Sequence, residues 1–390
     1  GELALMVSRL SQALEKADRF YIHDGEWLIP GDYEGIPTTT SFRDNIYPES
    51  VLGSFVTKAD EIICISQFSA DVIKSTAGQF YPGISERLNL INNGIDLSVF
   101  SPKDPSSLAN ELGLDRQKFR ILLHPHRQEP GKGLSETVQV VSQLVYQYGF
   151  SNLKVLVPRG IKEMVSAGES DYHQEMLDLM KSLGVVDNFV SMPWLPNERM
   201  PELYSLGDLT LCLGRFVETF GNVAYESLAC GTPSIVARVG VHRTLLPDEL
   251  IEKVHYGDVD TAAALAAKIL RSGKQIQPGV LDYLKKEFDF EKQVHSYGEI
   301  ITGCKKKKKF SFTPPGSDGN KKYVLAPWCY FHENKIFNDF KSSFEDARDL
   351  SELLKRSDCL YKKDAFVNGI TENQWESWIN KTWIVPNYKD

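Results

Sequence analysis

The chain has 390 residues, 42% hydrophobic and 25% charged. That ordinary globular composition excludes fibrous and wholly disordered architectures and predicts two domains, or two plus an appendage. Its 44 basic and 52 acidic side chains leave a net charge of −8, so nucleic acid is not an expected partner. No apolar run reaches the ~18–20 residues a membrane span needs, and Glu2 stands where a secretory signal would carry basic residues. Six scattered cysteines (Cys64, Cys212, Cys230, Cys304, Cys329 and Cys359) form no C-x-x-C pair. This argues against a zinc site or disulfide framework and for a reducing, cytoplasmic setting.

In chain order, residues 3–17 read as an amphipathic helix, followed by strand-like segments at 19–23, 36–41, 61–65 and 88–92. Helices fit 48–58 and 67–78. Strands alternating with helices imply a parallel sheet. The turn signal Asn92-Asn-Gly-Ile-Asp96 and the linker-like Ser101-Pro-Lys-Asp-Pro105 place a boundary after residue 103. A second alternating series follows, with strands at 119–124, 153–157, 188–192, 208–213, 234–237 and 253–256. Helices fit 134–148, 171–183, 198–206, 222–230 and 260–272, and two more near 277–287 and 290–302 close a doubly wound α/β domain over 104–304. Five lysines, Lys305 to Lys309, open a linker over 305–320. Residues 321–390, rich in tryptophan, read as a small folded extension with an aromatic core and no recognisable pattern.

Two segments carry chemistry. Glu218-Thr-Phe-Gly-Asn-Val-Ala-Tyr-Glu226 runs from a strand end into a helix that begins near Gly221. The free N–H groups and dipole of such a helix start favour an anionic or hydroxyl-rich ligand, and a carboxylate suits paired sugar hydroxyls. His124-Pro-His-Arg127-Gln-Glu-Pro-Gly-Lys132-Gly133 also joins a strand to a helix. Arg127 offers a planar fork and Lys132 a point charge, as a diphosphate requires, and the glycines allow close backbone approach. Taken alone, each charged pair also fits solvated surface residues.

Together, Arg127-x4-Lys132, Glu218-x7-Glu226, Phe220-Gly221 and Ala229-Cys-Gly-Thr-Pro233 resemble the retaining glycosyltransferases of family four. The turn Asn93-Gly-Ile-Asp96 with Phe100 and Pro102, and Ser66 after its strand, extend the likeness over roughly residues 1–303. The resemblance implies a GT-B fold, two facing Rossmann-like lobes, and a nucleoside-diphosphate sugar donor used without a bound metal or other cofactor. It assigns the diphosphate to Arg127 and Lys132, the ribose hydroxyls to Glu226, and the transferred sugar to Glu218 with the backbone around Phe220, Gly221, Asn222 and Val223. His23 matches the second histidine of the family's H-x-H, beside the anomeric carbon. The acceptor (a glycan, a lipid-linked sugar or a protein) is left unnamed.

This chain also departs from the family. Tyr21 replaces the first histidine of H-x-H, Gly214 and Arg215 replace a Pro-Ser pair, Arg43 replaces a histidine, and Val239-Gly-Val-His-Arg243 replaces a Gly-Gly-x-x-Glu loop. Three strands and a glycine-rich loop that open the family's first lobe have no counterpart, so the first lobe is expected to be incomplete, as a fragment or a natural deletion. A hexosyltransferase in carbohydrate biosynthesis is the expected function, and a non-catalytic sugar-nucleotide-binding or scaffold subunit is the alternative. The lysine run reads as a solvated linker or as a peripheral dock on anionic lipid.

Overall fold

A computed structural model describes residues 1–24, 33–44, 48–159, 167–314 and 321–387, and divides the chain into two units. The first combines Gly1–Asn92 with Gln293–Asp390, and the second is Asn93–Lys292.

The first unit begins with α1 (Glu2–Leu14) and continues through β1 (Phe20–Ile22), β2 (Thr38–Phe42), α2 (Pro48–Val56), β3 (Glu61–Cys64), α3 (Gln67–Ser75) and β4 (Leu88–Leu90). The four strands form a parallel sheet in sequential order. The Ile62-Ile-Cys64 run explains why β3 is central: strands covered on both faces are apolar throughout rather than alternating. Ser66 ends the strand and caps α3, its hydroxyl accepting the Ser69 N–H at 3.1 Å.

The second unit contains α4 (Ser106–Glu111), β5 (Arg120–Leu123), α5 (Leu134–Tyr146), β6 (Leu153–Pro158), α6 (Ala167–Ser182), β7 (Phe189–Met192), α7 (Met200–Leu206) and β8 (Leu209–Cys212). After these come α8 (Asn222–Ala229), β9 (Ser234–Ala237), β10 (Glu252–Val254), α9 (Val259–Ser272) and α10 (Val280–Glu287). Its six parallel strands lie in the order β10-β9-β8-β5-β6-β7, so the first strand of the unit lies beside the fourth. This is the doubly wound dinucleotide-fold order. Alternate residues of β5 feed two cores: Leu122 joins Val138, Val141 and Ala266 on one face, while Ile121 and Leu123 join Leu203 and Tyr204 on the other.

Unit boundaries differ from those at 103 and 304 drawn from the linker composition. The Ile95 N–H donates to the Phe288 carbonyl at 2.8 Å, and a Cβ on Gly94 would lie 2.4 Å from the Phe290 Cα. The turn at 93–96 is thereby part of the second unit. In the other direction, α11 (Phe290–Gly303) carries the chain back: its Tyr297 meets Tyr21 of the first unit edge-on, ring centroids 6.3 Å apart.

The lysine run is also not the free linker its composition suggests. Lys306 pairs with Asp60 at 3.1 Å, Lys307 with Glu61 at 2.7 Å and Lys309 with Glu34 at 2.5 Å. The Lys308 carbonyl accepts from Arg87, whose guanidinium lies 3.7 Å from the centroid of the Phe310 ring. Phe312 stacks on Phe80, and the Thr313 N–H donates to the Phe80 carbonyl. Residues 305–314 thus form a strap across the first unit, because a cluster of buried and half-buried carboxylates awaits the lysines.

The extension folds as β11 (Lys322–Leu325), β12 (Cys329–His332), β13 (Lys335–Asn338), β14 (Ser343–Asp346), α12 (Arg348–Arg356), β15 (Leu360–Tyr361), α13 (Lys362–Val367), α14 (Glu372–Asn380) and β16 (Ile384–Pro386). Two antiparallel three-stranded sheets result, β15-β11-β16 and β12-β13-β14. Trp328, Trp375, Trp378 and Trp383 are all buried, so the aromatics form a core. Thr371 and Gln374 close a reciprocal capping box at the start of α14.

Asp60 is the hinge of the strap. Only 1% exposed, it accepts from the Thr38 N–H (2.9 Å), the Lys306 ammonium (3.1 Å) and the Lys307 N–H (2.8 Å). Asp60→Ala should lower the unfolding free energy by roughly 2–4 kcal/mol, because it orphans these donors. A urea midpoint unchanged from the parent would show that the strap adds no stability.

Candidate functional site

The strands β5 and β8 are neighbours, yet the sheet continues in opposite directions from them, which opens a crevice at their carboxyl ends. Two loops meet there, 124–133 after β5 and 213–221 after β8. They touch backbone to backbone. The Phe216 N–H donates to the Gly131 carbonyl at 2.9 Å. A Cβ on Gly133 would lie 2.4 Å from the Gly214 nitrogen, and one on Gly214 2.2 Å from the Gly131 oxygen. Gly131 (φ 97°) and Gly133 (φ 90°) also adopt left-handed backbone, so glycine is required twice over. The second loop is held from behind, where the Val241 N–H donates to the Glu218 carbonyl at 2.9 Å.

Glu218 and Lys132 are brought together by this closure. Lys132 Nζ lies 2.8 Å from Glu218 Oε1 and 3.2 Å from the centroid of the Phe216 ring. The lysine side chain is only 12% exposed, so the pair lies in a partly dry setting where charge interactions strengthen. Gly221 (φ 80°) opens α8 without a side-chain cap, leaving its first N–H groups for a ligand. Phe220 is buried between Tyr225 and Phe288, which fixes its backbone at that helix start, while Asn222 is exposed and Val223 packs on the core beneath. Glu226 Oε2 accepts the Tyr204 hydroxyl at 2.8 Å. Burial raises the Glu226 pKa, and the Tyr204 hydrogen bond partly offsets this.

Arg127 is not gathered with these, and His23 belongs to the other unit. Arg127 is exposed and pairs with Glu129 at 3.2 Å instead of joining Lys132. The His23 Nδ1 lies 2.8 Å from the Tyr21 hydroxyl.

Three histidines that the motif reading passed over support the crevice. Thr137 donates to the Gly133 carbonyl at 2.9 Å, so its oxygen accepts from His124 Nδ1 at 3.2 Å. That leaves the buried Nε2 of His124 as an acceptor with no partner among the described residues. The ring of His126 lies edge-on to His124 at 5.0 Å. His242 bonds the Tyr225 hydroxyl at 3.1 Å and lies directly against Gly221, where a Cβ would come 2.2 Å from its Cε1. Burial pushes His124 down to about 3 and His242 to about 4, and His126 well below its ordinary value. The His-x-His spacing after β5 was a visible signal; the contact of His242 with Gly221 was not, being 21 residues distant in sequence.

These neutral imidazoles make stability pH-dependent. Unfolded histidine binds protons near pH 6.5, while buried His242 resists until about 4. The unfolded state therefore gains protons first on acidification, and stability present above 6.5 is lost as pH falls toward 4. Urea unfolding across this window should show falling midpoints, with a shallower slope in His242→Asn. An unaltered slope in that variant would remove His242 as the source.

With this geometry in view, the similarities to known proteins take on meaning. Residues 110–275 match the family model for glycosyl transferases, group 1. D-inositol 3-phosphate glycosyltransferase of Mycobacteroides abscessus is 28% identical over 221 residues, 56% of this chain and 46% of that protein. The enzyme of the same name from Segniliparus rotundus is 27% identical over 188 residues, 48% of this chain and 39% of that protein. The chain thus spans less than half the length of these curated relatives. Among solved structures, Anabaena HepE in complex with UDP and glucose superposes with a TM-score of 0.65 at 19% identity, covering 78% of this chain and 83% of that one. Sucrose-phosphate synthase from Thermosynechococcus elongatus gives 0.58 at 18% identity, covering 73% of each chain. The fold is therefore that of the GT-B structures, and residues 110–275 are similar to group 1 glycosyl transferases.

Proposed function

We propose that this chain transfers a hexose from a nucleoside diphosphate sugar to an acceptor hydroxyl with retention of configuration, the positive charge being supplied by side chains rather than by a metal ion. The observation that carries this reading is the Lys132–Glu218 pair, held by backbone contact at the switch point of the second unit, beside an uncapped helix start. Partner exchange explains why such a pair suits a donor. On binding, the diphosphate takes Lys132 and the sugar hydroxyls take Glu218, so neither charge is left buried and unpaired. Arg127, released from Glu129, adds a second cation to the phosphate. The N–H groups from Gly221 to Val223 complete the cradle.

In this reading Glu226 binds the ribose hydroxyls, with Tyr204 holding one of its oxygens. The cations act on the bond that breaks: as C1 separates from the phosphate oxygen, negative charge grows on the departing diphosphate, and Lys132 and Arg127 stabilise it. The acceptor oxygen then bonds C1 on the same face, and its proton passes to the phosphate. The UDP complexes of HepE and the name of the inositol phosphate relatives support a nucleotide sugar donor and a hydroxyl acceptor.

Lys132→Ala should slow transfer by about 100- to 1,000-fold, the usual cost of one transition-state donor. Glu226→Ala should weaken donor binding about tenfold, corresponding to ~1.4 kcal/mol. Both are measured with a panel of nucleotide sugars by release of free nucleoside diphosphate and by calorimetry. Unchanged rate and affinity in both variants would sink the assignment. One observation favours a second reading, a subunit that binds without turnover: in the resting structure both cations already have carboxylate partners. Saturable binding with no release of nucleoside diphosphate would select it.

A further inference from the structure

The extension holds a concave site of its own. A cavity of about 560 Å³ lies between the start of α12 and one side of α14, within the ~300–1,000 Å³ range of small-molecule sites. Its chemistry is mixed. Trp383 lines it, is 3% exposed, and carries a buried indole N–H with no acceptor among the described residues. Such a donor costs free energy unless a ligand or water satisfies it. Arg348 also lines it, is exposed, and makes no ion pair among the described residues. Asp346 and Asp349 also line the cavity; Asp346 accepts the Arg348 backbone N–H at 3.1 Å and Asp349 accepts from Gln374 at 3.0 Å.

Charge decides between ligand classes. Lys381, the other cation of the lining, is paired with Glu345 at 2.7 Å and lies 4.6 Å from the centroid of the Trp383 ring. The lining then holds two carboxylates and a single unpaired guanidinium, which disfavours a phosphate or an acidic peptide. An apolar segment is not favoured either, because the lining tryptophans Trp378 and Trp383 are buried. Hydroxyl groups donate and accept, so a polyol suits a lining that holds carboxylates, a guanidinium and an unpartnered indole N–H.

We propose that this cavity is a binding site for a neutral saccharide, separate from the crevice of the second unit. The proposal does not depend on the donor reading. Nothing in it requires catalysis; it gives the extension the role of holding a sugar chain.

The test uses the whole protein and saturation-transfer NMR with mono- and disaccharides of glucose, galactose, mannose and N-acetylglucosamine. At least one should bind saturably, with affinity lowered about tenfold or more, or ~1.4 kcal/mol, in Arg348→Ala and in Asp349→Ala. Both positions are exposed, so folding is checked by an unchanged circular dichroism spectrum and melting temperature. Trp383→Phe, which removes only the N–H and part of the ring, should weaken binding further. Lys132→Ala should leave saccharide binding intact. Absence of binding to every sugar in the set overturns the proposal, as does binding that survives both Arg348→Ala and Asp349→Ala. Loss in Lys132→Ala alone, or binding of inorganic phosphate in place of any sugar, overturns it too.

Discussion

The candidate site depends on one close approach: the backbone of Gly131–Gly133 against that of Gly214. No side chain fits between the two loops, so their separation is set by main-chain atoms and does not vary with rotamers. That approach delivers Lys132 to Glu218 and lets the Phe216 N–H reach the Gly131 carbonyl. Behind it, Gly240 presses on the Glu218 carbonyl and His242 on Gly221, so the second loop is clamped from both sides. Main-chain contact of this kind sets where Lys132 and Glu218 stand relative to each other.

The same geometry assigns work to side chains with no obvious chemistry. Neutral histidines around a half-buried lysine add hydrogen-bonding capacity without adding positive charge. His124 reinforces the first loop through Thr137, and His242 positions the second through Tyr225. Each is a positioning residue whose contribution is to backbone placement.

Much of this was legible in the residues because the physics was local. The strand after residue 119 and the helix after Gly133 follow from apolar runs and glycine punctuation, and both stand in the structure within a few residues of the expected limits. The pairing of Glu218 and Lys132 was legible only as a shared crevice, since spacing says which elements carry the residues but not which atoms meet. Arg127 shows the limit: its type and position suited a phosphate, while its resting partner, Glu129, is a neighbour two residues away. The lysine run misled for the opposite reason. Its partners Asp60, Glu61 and Glu34 lie more than 200 residues earlier, and no local pattern links them. Residues 321–387 stayed opaque because strands of two to four residues and helices of six to nine are too short to establish a period.

The strap has a consequence for how the molecule is made. Chain emerges from the ribosome in order, and domains close as units once their last strand is available. Residues 93–292 are contiguous, so that unit can complete its sheet as soon as it is synthesised. The first unit can pair its four strands but not complete its packing. Asp60 and Glu61 wait for lysines made some 245 residues later, and Phe80 waits for Phe312. Residues 1–92 are made before the strap that completes their unit, and until then Asp60 and Glu61 lack their lysine partners.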